Sequence, residues 1–174
     1  MNYKKKKRIR ELTHEILDMF QIDIPIKDIR EVTRKLGGTV IDDAALSQYA
    51  DAYIKKTAEG FRIYVPSRMP KSRENLTVAR ALGHLFINMG YMISKELWAS
   101  TADEYRPCSS SMENTLAVEI FALSFLMPQD RFRRVMNENM MENGRQVNVS
   151  GMARYFETTV DAVLYLGKDL GYFE

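Results

Sequence analysis

Arg80-Ala81-Leu82-Gly83-His84 is the stretch of this chain whose residue types and spacing come nearest to metal chemistry. A zinc site of the form His-Glu-x-x-His sets two imidazoles at i and i+4 on one helix face, and its glutamate activates a metal-bound water. Here the last histidine stands, arginine occupies the first position, and alanine replaces the glutamate. On a helical wheel of roughly 100° per residue, Thr77, Arg80, Ala81, His84 and Asn88 gather on one side. Leu76, Val78, Ala79, Leu82, Leu85, Phe86, Ile87 and Met89 form a broad apolar arc on the other. Arg80 and His84 therefore project together, as two ligands would. The chemistry differs, because arginine stays protonated and offers no lone pair to a metal. The plain alternatives are an exposed arginine on a polar face and a hydrogen-bonded structural histidine.

Two other constellations carry less. His14-Glu15-Ile16-Leu17-Asp18 imitates a metal motif with aspartate last, but His14 and Asp18 lie opposite the apolar face of their segment and read as surface. Cys108 is the only cysteine, so an internal disulfide and a Cys-rich zinc site are excluded; it reads as a loop cysteine in a reducing compartment. No apolar run approaches the roughly 18 residues of a membrane span. No apolar segment follows the basic N-terminus as in a signal peptide, so the expectation is a cytoplasmic protein. Lys4, Lys5, Lys6, Lys7, Arg8 and Arg10 supply six cations, which leaves the rest of a chain of net charge +2 acidic. Such a run can meet nucleic acid or simply solvate a first helix.

The elements that must position these residues follow from the hydrophobic pattern. Ile9, Leu12, Ile16, Met19 and Phe20 give residues 4–20 a helical face, and Pro25 opens a second helix that Gly37-Gly38 ends. Thr39 to Ile41, Tyr49 to Ile54 and Phe61 to Val65 read as three short strands, with a hairpin turn at Glu59-Gly60. A long helix spans about 72–91, and residues 92–111, with Ser109-Ser110-Ser111, read as irregular. An apolar helix covers about 112–127, Pro128 starts another to about Glu142, and Asn143-Gly144 is a turn. Two short helices around Glu157-Thr158 close the chain. They have the length of a helix-turn-helix, but the second carries Asp161, Tyr165, Lys168 and Asp169, a poor set for phosphate contact.

The order of these features, with "RENLTVARALGHLF" and "FALSFLMP" (Phe121 to Pro128) in sequence and "VSGMARYFETTVDAVLYLGKDLGYF" at the end, resembles the ImmA/IrrE family of zincin-like metallopeptidases. The resemblance spans essentially the whole chain. It implies an α+β, zincin-like metallopeptidase fold, mostly helical with a small three-stranded sheet. It further implies a domain over residues 1–146, with a C-terminal helix-turn-helix-like pair over 147–174 packed on it. Carried over by position, the family's first zinc histidine falls on Arg80, the general-base glutamate on Ala81, the second histidine on His84 and the third ligand on Ala117.

Only His84 keeps its family residue type, so no catalytic residue, no metal ligand and no cofactor are expected. Glu119 lies about 160° round its helix from Ala117 and is expected to face elsewhere. Glu113, one turn before Ala117, is the better carboxylate to meet Arg80 or, with His84, to form a remnant of a site. The former cleft is then expected to hold Thr77, Arg80, His84, Asn88 and Glu113. The resemblance implies a catalytically inactive regulator that binds a protein partner, such as an Xre-type repressor in a phage or mobile element. Two alternatives remain: a divergent zinc metallo-endopeptidase, and a DNA-binding transcriptional regulator using Lys4 to Arg10 or the C-terminal pair.

Overall fold

In a computed structural model that describes residues 1–107, 112–141 and 146–173, two helices form the spine on which the rest is laid. They are α3 (Lys71–Gly83) and α5 (Met112–Leu126). From Ala117 to Leu126 only Glu119 of α5 is not buried, so α5 has core on almost every side. Gly83 lets the two helices approach: a Cβ there would lie 3.2 Å from the Val118 carbonyl oxygen and 3.3 Å from Phe121 Cδ1. Phe86, Phe121 and Phe125 stack along the same seam, with centroids 5.7 and 5.8 Å apart.

Around this spine lie α1 (Tyr3–Met19), α2 (Ile29–Lys35), α4 (Lys95–Ser100), α6 (Gln129–Glu138), α7 (Val149–Tyr155) and α8 (Val160–Asp169). Asn2 caps α1 by accepting from Lys5 N, and Ile9, Thr13, Ile16 and Leu17 are its buried residues. Met19, assigned to that face by its spacing, is exposed. The second helix starts after Asp28, whose carboxylate accepts from Arg30 N and Glu31 N, and so later than Pro25, which follows a cis peptide bond.

The sheet has four strands in the order β1-β3-β2-β4: β1 (Gly38–Asp43), β2 (Tyr53–Thr57), β3 (Gly60–Pro66) and β4 (Glu104–Tyr105). β1 runs parallel to β3, and β2 is antiparallel to both β3 and β4. The expectation of three strands omits β4, whose two residues are too short to show alternation. The strand expected from Tyr49 starts instead at Tyr53, because residues 47–50 make a turn in which Ala50 N donates to Ser47 O.

The long helix expected over 72–91 changes character at His84. Residues His84–Asn88 wind as a π-helix, with Met89 N donating to His84 O. The segment expected to be irregular holds α4 and β4, while Cys108 and Ser109 to Ser111 lie outside the described residues. So does the Asn143-Gly144 turn, and α6 ends at Glu138, short of Glu142.

The C-terminal pair packs on the body through rings. Phe132 lies 6.3 Å from Phe156, 6.0 Å from Tyr172 and 6.2 Å from Phe173. Among the described residues this is a mixed α and β architecture of eight α-helices and one small sheet. No helix among them is long and apolar enough to cross a membrane.

Candidate functional site

The C-terminal end of α3, the middle of α5 and the loop before β2 enclose a cavity of about 400 Å³. Thr77, Arg80, Ala81 and His84 line it from α3 and the following π turn, Thr115, Val118 and Glu119 from α5, and Asp51 and Pro107 from the loops. Arg80 closes a two-pronged pair with Glu119: Nε donates to Oε2 at 2.7 Å and Nη2 to Oε1 at 2.9 Å. Such a fork is the strongest geometry for this pair of groups. Burial pulls the Arg80 pKa down, but the hydrogen bonds and charge of Glu119, with Asp51, outweigh it and leave the pKa raised.

His84 is buried and held from beyond the cavity. Asn88 Nδ2 donates to its Nδ1 at 2.8 Å, and the Tyr105 hydroxyl of β4 lies 3.2 Å from that same nitrogen. Burial pushes the ring pKa down to about 4, against a smaller upward pull from Asp51. At neutral pH the imidazole is uncharged, and Nδ1 serves as acceptor.

This arrangement corrects four expectations. Glu119 faces the cleft, because the α5 stripe turned toward α3 is the i, i+3, i+4 set of Thr115, Val118 and Glu119. Ala117 is buried off that stripe and does not line the cavity. Glu113 is also outside the cavity and pairs with Lys5 of α1 at 2.6 Å, which holds its carboxyl below the usual range. Asn88 sits behind His84 as its hydrogen-bond partner and does not line the cleft. Thr77, Arg80 and His84 are brought together as the spacing predicts. Glu119, Asp51 and Tyr105 are the residues that sequence reasoning missed. Only Glu119 left a signal, as the acidic member of the stripe through Thr115.

The residues present do not fit a zinc ion. A catalytic zinc takes three protein ligands and an open position. Here one imidazole faces a guanidinium, and both oxygens of the nearest carboxylate already accept from it. Among the described residues no three His, Cys, Asp or Glu side chains come together as a metal site. His14 and Asp18, the imitation motif on α1, are exposed and pair with each other at 3.1 Å.

The basic run of α1 is largely engaged within the fold. Lys6 and Arg10 both donate to Asp169 of α8, Lys5 pairs with Glu113 of α5, and Lys7 lies 3.6 Å from Glu11. Lys4 and Arg8 make no such contact among the described residues. Asp169, which counted against DNA contact in the sequence, is an internal anchor for α1.

No protein-family model matches the chain, and no curated protein matches it in sequence. Among solved structures it is similar in fold to a Mycobacterium tuberculosis transcriptional regulator, with TM-score 0.56 and 15% identity. The match covers 95% of this chain and 47% of that one, so the chain spans about half the length of its neighbour.

Proposed function

We propose that the chain is a zincin-like domain of the ImmA/IrrE type in which an ion pair has replaced the metal. It works by binding a protein partner, as a non-catalytic regulator. The observation that carries this reading is the Arg80–Glu119 fork beside a neutral His84 in a preformed cleft. A general base at position 81 would contribute about 10²–10⁴ in rate, and Ala81 supplies none. The cleft has the volume of a small recognition pocket and a polar wall of Thr77, Arg80, Glu119 and Asp51. Fold similarity to a transcriptional regulator along almost the whole chain supports a regulatory setting, and an Xre-type repressor is the proposed partner.

Two measurements on the purified chain test this. Zinc content and cleavage of unfolded protein substrates should both stay at background. Binding to Xre-type repressors of its host should be saturable and should be lost in Thr77→Arg, which fills the cleft. Stoichiometric zinc with peptide cleavage would overturn the reading in favour of an enzyme. Direct DNA binding is the second reading, favoured by the same structural neighbour. It requires steeply salt-dependent binding that neutralising Lys4 and Arg8 abolishes.

A further inference from the structure

The Arg80–Glu119 fork satisfies the cation of the cleft and leaves other polar groups facing its interior. Arg80 uses two of its N–H groups on the two oxygens of Glu119. An ionised carboxylate offers about four lone-pair sites, so Glu119 keeps one on each oxygen. Asp51 lines the same cavity and has no ion pair or hydrogen bond among the described residues. Its charge reaches inward, since it pulls the pKa of both Arg80 and His84 upward. With His84 neutral, the described lining carries one cation, Arg80, against two anions, Asp51 and Glu119.

His84 adds a donor. It lines the cavity with only 8% of its surface exposed. Asn88 and Tyr105 both meet Nδ1, so the neutral ring carries its proton on Nε2. Nε2 has no hydrogen-bond partner among the described residues, yet it is not one of the unpaired polar atoms sealed from solvent. It therefore opens to the cavity. The i to i+4 spacing sets the Cβ atoms of Arg80 and His84 about 5–6 Å apart. The acceptors of Glu119 and the Nε2–H donor thus lie within the span of one residue.

A guest that suits this lining carries one positive charge and, close to it, one uncharged acceptor. Carboxylates and phosphates bring the wrong charge to Asp51 and Glu119. A lysine side chain brings the right charge, but on a flexible four-carbon stem that sets it far from any carbonyl. The amino terminus of a polypeptide holds an ammonium and a carbonyl oxygen about 3 Å apart across a single Cα. Ala52, Ala81, Pro107 and Val118 make the rest of the wall small and apolar, which fits a short first side chain.

We propose, resting on the reading that this cleft binds a protein partner, that the group it takes is the partner's free amino terminus. The ammonium donates to Asp51 and Glu119, and the first carbonyl accepts from His84 Nε2.

Alanyl-alaninamide is the probe, titrated into the full chain at neutral pH, where its terminal amine is charged. Chemical shifts at Ala81, His84 and Val118 should move together and saturate. N-acetyl-alanyl-alaninamide lacks the charge and should bind about tenfold more weakly or worse. Free alanine carries a carboxylate beside the two acids and should be weaker by a similar factor. Asp51→Asn alters an exposed, unpaired side chain; it should weaken the free-terminus probe about tenfold at unchanged Tm. Absence of saturation, equal affinity for the acetylated probe, or unchanged affinity in Asp51→Asn would overturn the proposal. Free alanine binding as tightly as the probe would overturn it too, by assigning the site to small zwitterions. A chain that takes the probe but no repressor keeps this site and loses only the proposed repressor. A chain that takes a repressor but treats both peptides alike keeps its partner and loses the amino terminus.

Discussion

The two ends of α3 handle terminal charge in opposite ways. At the C-terminal end the helix places a cation, Arg80, where the dipole favours one, and Glu119 from α5 closes over it at 2.7 and 2.9 Å. That end is satisfied by the chain itself. At the N-terminal end no side chain caps the first turn, Glu74 is drawn to Arg30, and a buried threonine hydroxyl lacks a partner. That end keeps polar groups that the chain itself does not satisfy. The difference teaches that the conspicuous motif of the sequence lies where the chain closes its own helix end, whereas buried unsatisfied groups mark the half that no motif announced.

The contrast can be broken most forcefully by reopening the closed end. Arg80→His removes the guanidinium, frees both oxygens of Glu119 and sets a second imidazole one turn from His84. Zinc affinity, read by competition with a chromophoric chelator, should rise by about three orders of magnitude over the wild type, to the micromolar range. No gain would mean that Glu119 is not aimed at a position that both imidazoles can reach.

A second test uses pH. His84 titrates near 4 in the fold against about 6.5 unfolded, so the unfolded chain takes up the proton first as pH falls. The stability present above pH 6.5 is therefore lost as pH drops through about 4, by up to about 3 kcal/mol. Urea unfolding across that range should show this loss in the wild type and a shallower one in His84→Gln. Equal slopes would place the charge change elsewhere.

The smallest effect concerns the ion pair itself. Glu119→Ala leaves a half-buried guanidinium without its partner and should cost about 1–2 kcal/mol. That is less than for a fully buried pair, because Arg80 keeps 41% of its side chain exposed. Replacing both partners by leucine should recover most of that loss in the same unfolding assay. A double variant as unstable as the single one would argue that Arg80 has other partners.

Periodicity made α1, α3, α5 and the C-terminal pair legible, because each buries one consistent stripe or, in α5, nearly everything. The same reasoning placed Arg80 with His84, since i and i+4 share a helical face whatever the tertiary structure. It failed where the answer depended on how two helices cross. Choosing Ala117 fixed the wrong stripe of α5 and turned Glu119 away, although that glutamate is the residue that meets Arg80. Asp51 and Tyr105 reach the site from a loop and from a two-residue strand, neither of which has a periodic signal. The partners of the basic run were hidden for a related reason. Its charges read as either a solvated face or a surface for nucleic acid, but Asp169 and Glu113, far away in sequence, take up three of them.

The π turn at His84–Asn88 acts as a phase shifter. An i to i+5 turn holds one residue more than an α-turn, so at the end of this helix the chain leaves about 100° round from where an unbroken α-helix would release it. Tyr91 depends on that offset. Its hydroxyl donates to Leu36 O at 3.1 Å, and its ring meets Phe61, Phe86 and Trp98. Deleting one residue from 84–88 would give a more regular helix and swing Tyr91 out of that nest, unfastening α2 from the spine. Regularity at this point is therefore what the fold has to avoid.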